Sequence, residues 1–298
     1  MFQKLFVLVF LSLSITAAGA AQAIVAPSAE KSDAKSDKKS DKPKKEKSAK
    51  QEKQEKPKQE KFDLKNLTAE QLAEIAIVAH GGPYGRATLN TVRKTELERG
   101  ELVRFGADGS TVSSRATYEK RIVRGDNQEK DRIRLDQKLT EAQYALVYDN
   151  AKTFGLINSS TFVPREEADR AFQAQIFHGL DALLRYKENG SALKLAEKDK
   201  QMGVELYHLD VTDKQGRTTR FNISAKLYRV LSLEYTEPLT ANGAPVKFVR
   251  KFYDYRNAQG TNVPYRTTLY ADGKVIEETN IATVTYGMKI DDAQFQAE

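Results

Sequence analysis

Three runs of alternating apolar and polar residues, 246–255, 263–271 and 274–286, follow one another almost without interruption near the end of this chain. Their joints carry turn chemistry. Asn257 to Gly260 closes the first pair, and Asp272-Gly273 supplies the positive φ angles that a tight hairpin turn needs. The spacing predicts an antiparallel meander running to Phe295, which fixes the fold class as mainly β.

The same pattern recurs upstream. Strands are expected over 88–105, 111–124, 131–139, 144–148 and 154–162, with Arg99-Gly100 a bulge or bend in the first. A second set is expected over 192–198, 204–211, 217–224 and 227–235. One helix starts after Thr68, which stands at capping-box spacing from Gln71. It carries Leu72, Ile75, Ala76 and Ala79 on one face and ends at Gly81-Gly82-Pro83. Another begins at Pro164, with Glu166 and Glu167 at the positive end of its dipole. Ala168, Phe172, Ile176, Leu180, Leu183 and Leu184 recur at helical spacing until Asn189-Gly190 stops it. The expected fold is mainly β (α+β), a curved antiparallel half-barrel of about ten or eleven strands with an N-terminal helix and an inserted covering helix. A helix placed between the two halves of so long a sheet is positioned to cover its concave face.

The N-terminus reads differently. Residues 1–23 have the form of a secretory signal: Lys4, an apolar run from Leu5 to Leu13, and a small-residue cleavage site at Ala21-Gln22-Ala23 or Ala18-Gly19-Ala20. No charge falls between Lys4 and Glu30, so a retained membrane anchor is the alternative to cleavage. The expected location is the periplasm. The chain has no cysteine, which excludes disulfides, thiolate metal sites and a lipid-modified cysteine.

Residues 24–61 are built from Lys, Glu, Asp, Ser, Gln and a few Pro, too polar to offset the entropy of ordering, and a disordered tether is expected there. Between Glu30 and Lys61 lie 13 Lys against 8 acidic residues, whereas 62–298, expected to be a single domain, holds 34 basic and 33 acidic residues. Basicity concentrated in the tail argues against a nucleic-acid partner, which a folded module grips through its own basic face. The tail is either a solvated spacer or an electrostatic contact to anionic envelope components.

Alternation in the first strand set places apolar residues on one face. Tyr118, Ile122, Ile133, Leu135, Tyr144, Leu146 and Tyr148 fall together, with Glu119, Arg121, Arg132 and Arg134 on the other. Capped by Phe172, Ile176 and Leu180, they enclose either a packed core or an apolar pocket. No catalytic signature accompanies them: there is no G-x-S-x-G elbow, no H-E-x-x-H, no phosphate-binding glycine loop and no calcium loop. His80, His178 and His208 stand on different elements without ligand spacing, and His80 is placed where an imidazolium favours a helix C-terminus. Glu277 and Glu278 point to opposite faces of a strand, and Asp291-Asp292 suits the cap of a final turn. The expectation is a monomeric, non-enzymatic protein without cofactor or metal.

The closing block resembles a known family. Tyr253-Asp254-Tyr255-Arg256, Gly260, Val263-Pro264, Thr268-Leu269-Tyr270, Gly273-Lys274, Glu278, Ile281, Val284, Ile290-Asp291-Asp292 and Phe295 are similar to the C-terminal part of periplasmic proteins of the outer-membrane lipoprotein-carrier (Lol-type) superfamily. The block from Tyr207 to Tyr235 resembles that family's sheet as well. The resemblance implies an incompletely closed antiparallel barrel with helices over its mouth, shielding an apolar cavity for acyl chains of a lipid or lipoprotein. The long Lys/Glu tether departs from the family pattern. An envelope interaction module, acting through the cationic tail or a sheet edge, is the alternative.

Overall fold

Period-two alternation is realised as one antiparallel sheet of fourteen strands, more than the ten or eleven expected. The computed structural model describes residues 66–296 apart from Ser159 and Met202. The expected signal sequence, 1–23, and tether, 24–61, lie outside the described residues. The first strand set comprises β1 (Thr95–Phe105), β2 (Val112–Val123), β3 (Arg132–Lys138), β4 (Gln143–Asp149), β5 (Lys152–Ile157) and β6 (Ser160–Phe162). The second comprises β7 (Ala192–Leu195), β8 (Asp199–Gln201), β9 (Val204–Thr212), β10 (Thr218–Ser224), β11 (Val230–Pro238), β12 (Pro245–Ala258), β13 (Thr261–Ala271) and β14 (Lys274–Tyr286). Much of the surplus is short: β6 and β8 have three residues each.

Strand order is β6-β5-β4-β3-β2-β1-β14-β13-β12-β11-β10-β9-β7, with β8 also on β9. The chain lays β1 to β6 outward in one direction and returns from the opposite edge, so its last strand pairs with its first, from Glu96↔Tyr286 to Arg104↔Glu277. Sheet curvature stays open, with β6 and β7 as separate edges. The connection from β6 to β7 therefore has to cross the whole sheet, and it does so as α3 (Glu166–Phe177), α4 (Leu180–Leu184) and α5 (Tyr186–Asn189). The single covering helix expected from the sequence is thus three segments. The first break is at Gly179, whose extended backbone passes so close to the Gln175 carbonyl that a Cβ would stand 2.9 Å from it.

The N-terminal helix α1 (Ala69–Gly81) forms with both halves of the Thr68/Gln71 capping box in place. Residues 88–94, expected to be the start of a strand, instead belong mostly to α2 (Arg86–Val92). Pro83 and Gly85 form a turn that redirects the chain, and Leu89 then buries itself against the bare Gly81 backbone. Other local expectations hold. The register shifts at Arg99/Gly100, Asp272 and Gly273 have φ of 45° and 82°, and the Asp291 carboxylate accepts from the Ala293 amide.

The helices cover one sheet face, where the two largest apolar clusters lie. The larger cluster joins α1 (Leu72, Ala76, Ile77), α4 (Leu183, Leu184) and the inward residues of β9 to β12, among them Leu209, Phe221, Ile223 and Leu233. The smaller lies between β1–β4 and α3.

Candidate functional site: an apolar floor under α3, bounded by buried charge

On the helix-covered face, β2 contributes Tyr118, Lys120 and Ile122, because alternate residues share a face, and Arg124 continues the alternation just past the strand's end. Beside them stand Ile133 and Leu135 of β3 and Tyr144, Leu146 and Tyr148 of β4. Phe172 and Ile176 descend from α3 onto this floor, one helical turn apart. Eight of these residues are buried in one cluster and Tyr144 packs against it half-buried, so the structure brings together nine of the ten residues the sequence singled out. Leu102, Ala116, Leu139 and Phe177 complete the cluster, with the Phe177 ring edge-on to Tyr148 at 5.8 Å. Leu180 is the exception. The break at Gly179 starts a new helix, and Leu180 packs against the larger cluster instead.

The floor is not apolar throughout. Between the two clusters runs a band of buried charge that the sequence reading missed. Glu96 and Glu98 of β1 are 3 % and 7 % exposed. Lys120 Nζ lies 2.8 Å from Glu98, and Tyr118 donates its hydroxyl to the same carboxylate at 2.9 Å. Arg124 donates through Nη2 to Glu96 and through Nε to Asp181 of α4, both at 2.8 Å, and through Nη1 to the Arg93 carbonyl. Arg185 holds Asp131 at 2.7 Å and the Gly125 carbonyl at 2.7 Å. Burial alone would raise the Asp181 carboxyl, but Arg124, Arg93 and Arg185 outweigh it and hold the group well below the usual carboxylate range. Glu96 is depressed for the same reason, by Arg124, Lys120 and Arg93. Burial and the neighbouring Glu98 push the Tyr118 phenol far up, so it remains a hydrogen-bond donor. The signal was available in the sequence: Lys120 interrupts the apolar face between Tyr118 and Ile122.

The sheet also forks. β10 and β11 pair from Ile223↔Val230 to Arg220↔Glu234 and no further, while Thr218 and Thr219 stay with β9 and Tyr235 to Pro238 stay with β12. His178, at the C-terminus of α3, fills the fork from the covered side. A carboxylate only accepts, so Nε2–H donates to Glu237 at 3.0 Å, and Nδ1 shares a hydrogen bond of 2.7 Å with the Thr219 hydroxyl. The ring stacks on Tyr235 at 4.1 Å. A polar groove of about 670 Å³ follows the fork, lined by Arg170, Arg217 and Glu237 among others. A second recess of about 400 Å³ lies between α2, α4 and the end of β2. Neither is lined by the nine clustered residues, which fill the space under α3 themselves.

The remaining histidines are structural. His80, expected to serve as a helix-terminal imidazolium, is buried, and burial pushes its pKa down to about 4, so it is neutral near pH 7. His208 bonds Asn222 at 2.6 Å. Among the described residues no group of three or more His, Asp or Glu is placed to hold a metal ion, and no helix is long and apolar enough to cross a membrane.

This open, curved antiparallel sheet, its covered face crossed by the helices that join its two edges, is similar in fold to solved structures. The chain matches a LolA superfamily protein from Nitrosomonas europaea with a TM-score of 0.51 and 10% identity, over 78% of this chain and 98% of that one. It matches a domain described as outer membrane lipoprotein-sorting from Vibrio parahaemolyticus with a TM-score of 0.50 and 11% identity, over 76% and 97%. No family model and no curated protein matches the sequence. The resemblance drawn from the closing strands thus holds at the level of fold.

Proposed function

We propose that this protein binds acyl chains of a lipid or lipoprotein beneath α3, without catalysis, in the periplasm, as a step in envelope lipid or lipoprotein trafficking. One observation carries the reading. A single amphipathic helix, bounded by a glycine break, covers a mostly apolar floor through Phe172 and Ile176, and the same floor re-covered by acyl chains would gain about 0.8 kcal/mol per buried methylene. Displacing one helix exposes that floor without unpairing a strand. The similarity of the fold to lipoprotein-sorting structures supports the same reading.

The test is uptake. Delipidated protein is titrated with a fluorescent fatty acid and a fluorescent lipopeptide, and Leu135→Asp and Leu146→Asp variants serve as blocked floors. Saturable uptake lost in those variants supports the reading, and absence of uptake by the native protein ends it. A second reading, an envelope interaction module, is favoured by the fork, where β10 and β11 present strand edges unpaired with each other. It predicts partner binding that survives both floor variants.

A further inference from the structure

The 400 Å³ recess is large enough to take a small ligand, and its charge is unevenly spent. Four cations line it, Arg93, Lys94, Arg124 and Arg185, against three acids, Asp126, Asp181 and Glu188. Each acid already has a close partner: Asp126 with Lys130 at 2.9 Å, Asp181 with Arg124 at 2.8 Å, Glu188 with Arg86 at 2.8 Å. Arg124 and Arg185 are likewise committed, through the hydrogen bonds described above.

Arg93 is not. Its side chain is 13% exposed, its ion pairs with the Glu96 and Asp181 carboxylates are both 3.6 Å long, beyond good hydrogen-bonding distance, and its Nε is buried without a partner. A buried guanidinium with unsatisfied donors is costly, since each such donor loses water without replacement. The Glu96 and Asp181 carboxylates and the Tyr286 ring, 5.4 Å from Arg93 Cζ, balance the charge, but Nε is left without an acceptor. The next residue, Lys94, is exposed and forms no ion pair among the described residues, and both side chains line the same recess.

We propose that the Arg93–Lys94 recess binds a phosphate-class oxyanion. The planar fork of Arg93 takes two oxygens side by side and the Lys94 ammonium takes a third, a division of labour that suits a phosphate better than a carboxylate with only two oxygens. The group is either free phosphate or the head of an amphiphile. The proposal stands whether or not acyl chains bind under α3.

The experiment uses delipidated full-length protein at fixed ionic strength, titrated separately with inorganic phosphate, dihexanoylphosphatidic acid and dihexanoylglycerol. Arg93→Gln should weaken phosphate and phosphatidic acid binding at least about tenfold, the scale of a lost charge-assisted hydrogen bond, and Lys94→Gln about threefold. Dihexanoylglycerol binding should not change in either variant. Phosphatidic acid binding tighter than inorganic phosphate identifies a lipid head, and equal affinities identify the free ion. Phosphate bound with no acyl probe taken up upholds this site and ends the chain-binding reading alone. Native protein that binds neither phosphate ligand, or that binds them as well after Lys94→Glu and Arg93→Gln, overturns the proposal. Should Arg93→Gln fail to fold, the exposed Lys94→Glu decides it, with loss of binding expected.

Discussion

Arg124, just past the end of β2, and Asp181 of α4 meet at 2.8 Å on the covered face, and Arg124 reaches Glu96 of β1 at the same distance. One guanidinium therefore ties the central strands to the helical connection. Truncating it as Arg124→Met removes the nearest cation of buried Glu96 and half-buried Asp181 while Lys120, Arg93 and Arg185 remain, for an expected loss of about 2–3 kcal/mol in urea unfolding. The double variant Arg124→Met/Asp181→Leu should recover part of that loss, because a well-packed apolar pair often equals a buried ion pair. If the double variant is no more stable than the single one, the pair is not coupled.

Acid should destabilise the protein in two steps of the same sign. His80 has its folded pKa pushed down to about 4 by burial, below an unfolded value of 6.5, so the unfolded chain takes up the proton first. Its contribution is complete above pH 6.5 and falls by up to about 1.4 kcal/mol per pH unit as pH drops toward 4. Asp181 and Glu96 are depressed too, so what they contribute is present above their ordinary values of 3.8 and 4.5 and is lost below them. Urea midpoints measured from pH 8 to 3 should decline from near pH 6.5. His80→Leu should remove that upper phase and leave the lower one.

The closing meander was legible because its turns need particular residues: Asp272 and Gly273 both adopt positive φ, and Gly100 marks a bulge. The apolar floor was legible for the same kind of reason, since period two sorts Tyr118 and Ile122 from Glu119 and Arg121 without knowledge of any neighbour. What escaped depends on partners far away in the chain. Lys120 and Arg124 look like solvent residues until Glu96, Glu98 and Asp181 are placed opposite them. Leu180 keeps helical spacing with Ile176, yet the close approach at Gly179 turns it toward a different cluster. The α2 helix escaped too, because residues 88–92 carry strand-forming Thr and Val, and burial of Leu89 against Gly81 decides for the helix.

Gly100 sits where β1 changes register against β14, and a Cβ there would overlap the Asn280 carbonyl and crowd Ile281. Neither neighbour can yield without shifting a central strand. Gly100→Ala should therefore cost about 1–3 kcal/mol in chemical denaturation, the range for overpacking. Gly273→Ala adds strain from its φ of 82° but meets no atom within 4 Å, so its penalty is conformational alone and should be about 1 kcal/mol. A Gly100→Ala variant as stable as the native protein would show that β14 can slide.

If α3 is the element that uncovers the floor, it must open at lower cost than α4 and α5. The contacts are distributed in that way. Arg124 and Arg185 pin the α4–α5 side through buried ion pairs, whereas the C-terminal end of α3 is held by the His178 bonds to Thr219 and Glu237 and by Gln128 donating to the Ile176 carbonyl at 2.7 Å. Removing the imidazole in His178→Ala deletes two hydrogen bonds and a stacked ring, and even about 2 kcal/mol of that lowers the local opening energy enough for roughly thirtyfold faster exchange. Hydrogen exchange followed by mass spectrometry should show α3 amides accelerated by that order, with α4, α5 and β2 unchanged. The rate of acyl-probe uptake should rise with it. Uniform acceleration across the sheet and all three helices would instead make His178 a general stabiliser of the fork, and α3 no more mobile than the rest.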